Sequence, residues 1–373
     1  MTNPVLFKTL ESVNDKKIAV ATLNSEKSLN ALSLEMVELL YSQLVSWQED
    51  DSIAIVMLDG AGEKAFCAGG DVVQLYNAAK EAGSGNVAQD VETFFAKEYK
   101  LDHLIHVYKK PILLWGHGIV MGGGLGLLAG ASHRVVTEKS RIAMPEITIG
   151  LYPDVGGSHF LNKMPDGCGL FLGLTGASIN AADAKYVQLA DHFVTADQKQ
   201  TVVEELLLIN WGNTVALNHQ KLTDLLKTFE DNSKSQKPVG NIAKFVDFMT
   251  ALNNCDSADS AIVDILDFKT DDKWFNKAQA SLAHGSPLSA KIIFKQIKEG
   301  QVLTLASAFR MELGLSVKCA SEGDFPEGVR ALLIDKDNLP SWKYATIHDV
   351  PDDVVDSFFV SIWDAKSHPL NSL

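Results

Sequence analysis

Cysteine is scarce in this chain. There are four in 373 residues, Cys67, Cys168, Cys255 and Cys319, with no CxxC spacing and no paired framework. That excludes a disulfide scaffold and makes a reduced, cytoplasmic setting the default. Positive charge is short as well: 33 Lys and Arg against 47 Asp and Glu give a formal net charge of −14. Nucleic-acid surfaces draw their affinity from neutralised phosphates, so no such partner is expected, though one local basic pocket for a phosphorylated ligand stays compatible. Long uninterrupted apolar runs are also missing. The longest tract, Pro111 to Ala131, holds seven glycines and a histidine, which argues against a membrane span. Met1 to Leu10 has no apolar stretch behind a basic start, so no cleaved leader is expected. No repeat at a fixed period is visible.

What is present is the composition of a globular protein, 46% hydrophobic and 21% charged. The length allows one large or two ordinary domains. Ile18 to Leu23 and Ile53 to Leu58 are nearly unbroken apolar runs, as expected of strands buried on both faces. Between them Leu34, Val37, Leu40, Leu44 and Trp47 recur at helical spacing, with Ser33 placed as the cap. Alternating strands and helices predict an α/β fold with a mainly parallel sheet. After about Leu206 the strand signals fade. Glu230 to Gly240 reads as a polar linker, and helical segments follow at Ile242 to Leu252, Asp272 to Leu282, Pro287 to Ile297 and Leu303 to Ser321. The expected division is therefore 1–210 for the core and 211–373 for a mainly helical region.

The stretch from Pro111 to Gly157 organises the chain. A buried strand leads to Gly122-Gly123-Gly124, then a small-residue helix, a second strand, and two acids eight residues apart, Glu146 and Asp154. Glycines at a strand-to-helix junction bring backbone N–H groups close to a ligand, and a helix N-terminus suits a negative oxygen. Ala68-Gly69-Gly70-Asp71 repeats that arrangement, with Asp71 as helix cap. One such turn is only a turn, but two convergent donors form an oxyanion hole. Glu98 stands out by periodicity alone. It falls inside the apolar stripe Val91, Phe94, Leu101, Ile105, Tyr108, so it either pairs with a cation or faces a polar cavity.

Other patterns carry less. Gly124 to Ala129 matches GxGxxA, but Gly118 to Met121 separates it from the preceding strand, against a dinucleotide fingerprint. His103 and His106 have no further ligand at a recognisable spacing, so no metal is expected. Cys67 beside the first glycine turn reads as a small buried residue.

Asn30-Ala31-Leu32, Phe66 to Asp71, Gly122 to Gly126 and Met144-Pro145-Glu146 occur in the order and spacing of the enoyl-CoA hydratase/isomerase (crotonase) superfamily, which the chain resembles from Asp15 to Phe358. Gly150 to Gly157 and the late Asp324 to Ala331 and Ile334 to Asp337 are similar to the 3-hydroxyisobutyryl-CoA hydrolase subfamily rather than to the hydratases. The resemblance implies a spiral of ββα turns with a helical C-terminal region. It implies an acyl-CoA substrate bound by Ala68, Gly70 and Asp71, no cofactor besides the coenzyme A of that substrate, and self-association through the C-terminal helices.

It also implies roles. Gly70 and Gly123 N–H would hold the thioester oxygen. Hydratases carry two catalytic glutamates, and the first of those positions is here Gly126, while Asp154 stands where they usually have glycine. Addition of water to a double bond is then disfavoured and thioester hydrolysis favoured. Glu146 would attack the carbonyl or act as base for water, and Asp154 would orient the acyl hydroxyl or the water. Glu98 would contact substrate. The competing readings are hydratase or isomerase activity on the same fold, and a non-catalytic acyl-CoA-binding protein.

Overall fold

A computed structural model describes residues 3–373; Met1 and Thr2 of the Met1 to Leu10 stretch lie outside the described residues. Among the described residues nine strands form two sheets. They are β1 (Val5–Glu11), β2 (Lys17–Leu23), β3 (Ile53–Gly60), β4 (Ala65–Cys67), β5 (Ile112–Gly116), β6 (Ile119–Met121), β7 (His133–Val136), β8 (Arg141–Ala143) and β9 (His192–Phe193). The larger sheet runs β1-β2-β3-β5-β7-β9 and the smaller β4-β6-β8. Only the β1–β2 pair in the larger sheet is antiparallel; its other pairs are parallel, as the sequence predicts. Each successive strand pair, β3/β4, β5/β6 and β7/β8, puts its first member in the large sheet and its second in the small one. That repeat is the expected ββα spiral.

All eight residues of β3 and all five of β5 are buried, which accounts for their unbroken apolar runs. The first helix, α1 (Leu34–Glu49), starts where Ser33 accepts the Met36 N–H, and it buries Met36, Val37, Leu40, Leu44 and Trp47. Three further helices matter for the site: α2 (Val72–Ala82), α3 (Gln89–His106) and α4 (Gly123–Gly130). Beyond β9 the described chain is helical, with the longest elements Val215–Ser233, Pro287–Gly300 and Leu305–Ser321.

Two compact units interleave along the chain. One comprises Met1–Gly70, Leu101–Ile142 and Ile179–Ala243; the other comprises Asp71–Lys100, Ala143–Ser178 and Lys244–Leu373. Both sides of residue 210 contribute to each. The first unit is built on Ile18, Ile55, Met57, Leu113, Trp115 and Val135 from the sheet, with Leu206, Trp211, Leu222 and Leu226 from the helical segments. The second holds an aromatic group in which Phe275 lies 4.8 Å from both Phe245 and Phe268, ring centre to ring centre.

The expected linker needs correction at its start. The helix Val215–Ser233 continues through it, and a short 3-10 turn, Lys234–Gln236, follows. Polar composition misleads here because the polar groups are anchored. Glu230 pairs with Lys185 and His192, and the buried Ser233 hydroxyl bonds the Phe229 carbonyl and receives the Thr195 N–H.

Candidate active site

The donor turns belong to the first unit. β4 ends at Cys67, and the turn after it is tied by Ala68 N–H to the Leu29 carbonyl and by Leu32 N–H to the Gly69 carbonyl. Asp71 then caps α2 by accepting the Gln74 N–H. The second turn follows β6. Gly122 sits at φ 49°, a left-handed conformation that favours glycine, and α4 begins at Gly123. The N–H of Gly123 is thus in the first turn of a helix, where no intrahelical acceptor exists. The two turns meet: a Cβ on Gly69 would lie 3.9 Å from the Gly123 nitrogen, and one on Gly124 only 2.5 Å from the Cys67 carbonyl. Glycine at 124 is therefore what lets α4 start against β4. Gly126 is buried in the same helix, and Gly124 to Ala129 lie within it rather than in a phosphate-binding loop.

The acids belong to the second unit. Glu146 opens a 3-10 turn, Glu146–Ile149, after Pro145, and its carbonyl receives the Leu151 N–H. Asp154 sits in the following turn, its carbonyl bonded by the Gly157 N–H at 2.7 Å. Glu98 projects from α3. All three are buried, Glu98 at 2% exposure, Asp154 at 4% and Glu146 at 5%. Burial raises the Glu98 carboxyl well above its ordinary value, and the Asp154 charge adds to that. Glu146 is raised well above its ordinary value first by burial, then by Asp154 and, more weakly, by Glu98. Burial raises Asp154 only to about 6, because the Tyr99 hydroxyl bonds it. No cation is among these influences, so Glu98 is not half of an ion pair. Glu98 Oε1 and Glu146 Oε2 have no partner in the protein. Mutually coupled carboxyls with idle oxygens suit general acid–base or nucleophilic work on a polar group that enters the cavity.

Sequence reasoning missed the groups that hold the Asp154 loop. Glu312 Oε2 and Oε1 accept the Gly156 and Ser158 N–H groups, both at 2.8 Å, and Gln296 donates to the Pro153 carbonyl and to Ser158 Oγ. The Tyr99 hydroxyl donates to Asp154 Oδ2 at 2.7 Å. A cavity of about 390 Å³ in the same unit is lined by Lys80, Arg330 and Lys343, with Asp324 and Glu327 among its other residues. Arg330 there is already paired with Glu327, Asp335 and Asp337, whereas Lys80 lies over the Tyr76 ring. Among the described residues no group of three or more His, Cys, Asp or Glu side chains is placed to hold a metal, and no helix is long and apolar enough to cross a membrane. Cys67, Cys168 and Cys319 are buried and Cys255 is half-buried.

Comparison with known proteins bears on this arrangement. A family model described as enoyl-CoA hydratase/isomerase matches residues 18–359. The 3-hydroxyisobutyryl-CoA hydrolase, mitochondrial, of Danio rerio is 40% identical over 93% of this chain and 88% of that protein. The same-named proteins of Rattus norvegicus and Homo sapiens are 39% and 36% identical, each over 92% of this chain and 86% of the relative. Among solved structures, an enoyl-CoA hydratase from Rhodobacter sphaeroides 2.4.1 superposes with a TM-score of 0.81 at 29% identity, covering 96% of this chain and 98% of that one. A carnitinyl-CoA dehydratase from Mycobacterium thermoresistibile gives 0.83 at 30%, covering 97% of each.

Proposed function

The chain belongs to the enoyl-CoA hydratase/isomerase family and groups within it with the 3-hydroxyisobutyryl-CoA hydrolases; from that premise we propose that it hydrolyses 3-hydroxyisobutyryl-CoA to 3-hydroxyisobutyrate and coenzyme A, a step of valine degradation. The observation that carries the hydrolase reading over the hydratase one is the placement of acids. α4 offers Gly126 and no carboxylate, while Glu98, Glu146 and Asp154 share one unit and perturb one another.

In the proposed mechanism Gly70 and Gly123 N–H polarise the thioester carbonyl and take up the charge that develops on its oxygen. Glu146 forms a bond to the carbonyl carbon, expelling the coenzyme A thiolate and leaving a mixed anhydride that water opens, or it takes the proton of a water that attacks directly. Asp154 handles the proton, and Glu98 accepts a hydrogen bond from the β-hydroxyl. Ala68 and Asp71 flank the coenzyme, with Lys80 on α2 the cation for its phosphates. No cofactor beyond the coenzyme A of the substrate is required. The proposal extends to a reduced, cytoplasmic location and to self-association through the C-terminal helices; the vertebrate relatives are named as mitochondrial.

Glu98 gives the test. A site built to bond a hydroxyl rejects analogues that lack it, because its own polar group is left unpaired. Glu98→Ala should cut the kcat/KM preference for 3-hydroxyisobutyryl-CoA over isobutyryl-CoA by about 10-fold or more. Stability should move the other way. The folded Glu98 carboxyl keeps a proton that the unfolded chain releases above its ordinary 4.5, so its contribution is lost as pH rises beyond that value. A neutral Glu98→Gln should therefore melt higher than the parent at pH 8. Unchanged preference with a lowered melting temperature would contradict the substrate contact.

A further inference from the structure

Glu98, Glu146 and Asp154 are buried in one unit with no cation among the groups that perturb them, and Asp154 differs from the other two in its hydrogen bonds. The groups that face it are Glu98 and Tyr99 from α3, Glu146 from its 3-10 turn, Tyr152 from its own loop, and Glu312 and Cys319 from the helix Leu305–Ser321. None of them is positive. Where every charged neighbour is another acid, hydrogen bonding decides which carboxyl loses its proton first.

The bonds have a direction. Tyr99 donates to Asp154 Oδ2 at 2.7 Å and also lies 2.6 Å from Ser316 Oγ. A phenol has one hydrogen, so the second contact runs from Ser316 to Tyr99. Ser316 Oγ is in turn 2.7 Å from the Tyr152 hydroxyl, which donates its single hydrogen to the Glu312 carbonyl, 2.6 Å away. Burial pushes both tyrosines well above their ordinary range, so they stay phenols and remain donors. Ser316 and Tyr99 thus point their hydrogens in a row at Asp154, and the first donor polarises the second. Glu98 Oε1 and Glu146 Oε2 have no such partner.

We propose that Tyr99, backed by Ser316, is a positioning residue that makes Asp154 the first of the three acids to ionise, leaving Glu146 and Glu98 to hold protons in the free enzyme. Asp154 is then the base on which the first proton of the reaction lands. If Glu146 attacks, its proton passes to Asp154 as the bond to the carbonyl carbon forms; if water attacks, Glu146 passes its proton to Asp154 and takes that of the water. The inference rests on the hydrolase reading of the site.

The acid limb of kcat/KM against pH reports the essential base of the free enzyme, and here it should fall near the Asp154 value of about 6. Tyr99→Phe removes a hydrogen bond to a charged group and should move that limb up by about one pH unit or more. Ser316→Ala should shift it the same way by less. A merely structural role for these hydroxyls would lower the melting temperature and leave the limb in place. Carbon-13 NMR titration of protein labelled at aspartate and glutamate carboxyls, with Asp154→Asn, Glu146→Gln and Glu98→Gln to assign the resonances, reads the same order in folded protein whatever its turnover. A Tyr99→Phe limb and Asp154 titration that coincide with the parent's, in an enzyme that turns over, would overturn the proposal. Absence of thioester turnover in the parent at every pH would instead remove the hydrolase reading, and the NMR order would still decide whether Tyr99 governs Asp154.

Discussion

Glu146→Gln should lower thioester hydrolysis by at least ~10², the loss expected when a general base is removed, and by more if Glu146 is the nucleophile. The substitution keeps the length and shape of the side chain but takes away the oxygen that can lose a proton. Folding should survive, because the parent carboxyl is itself buried and raised well above its ordinary value, so a neutral amide replaces a group that burial already drives towards neutrality. The Leu151 N–H bonds the main-chain carbonyl of Glu146 and is untouched. Binding of coenzyme A should also persist. Steady-state thiol release together with a thermal melt checks this, and near-normal turnover would remove Glu146 from the mechanism.

Gly124→Ala is the second large effect. Its Cβ would sit 2.5 Å from the Cys67 carbonyl oxygen and 2.7 Å from Cys67 Cβ, contacts that a flexible side chain cannot relieve. The start of α4 must move away from β4 and carry the Gly123 N–H with it. Loss of one oxyanion donor costs about 10²–10³ in kcat, while overpacking costs about 1–3 kcal/mol of stability. Gly130→Ala is the control. It meets His106 and Ile105 at 3.0 Å, at the other end of the same helix, and should destabilise without changing kcat. Equal losses of kcat in the two variants would contradict an oxyanion role for Gly123.

The chain reveals its elements unevenly, for physical reasons. β3 and β5 are legible because every residue in them is buried and hence apolar. α1 is legible because its cap and its stripe agree. β1 was not: as the edge strand of the large sheet it has one fully buried residue, Val5, and so carries no alternation. The helix Val215–Ser233 overran the expected linker because Glu230 and Ser233 are polar yet anchored.

The site divides in the same way. Glu98 was legible because a carboxylate inside an apolar stripe violates the pattern around it. Glu312 breaks the stripe Phe309, Leu313, Ser316, Val317 of its own helix in the same manner and is fully buried, so the same reading applied there would have found it. Tyr99 and Tyr152 offer no such signal, since a buried tyrosine is an ordinary core residue until its hydroxyl partner is known.

With Gly126 in place of an acid on α4, the site should split a thioester but add water poorly to a double bond. Parallel assays of the unmodified protein test it most directly, following free thiol from 3-hydroxyisobutyryl-CoA and loss of the conjugated double bond of crotonyl-CoA. Rapid thiol release and little hydration are expected. Efficient hydration of crotonyl-CoA with no thiol release would contradict the hydrolase reading.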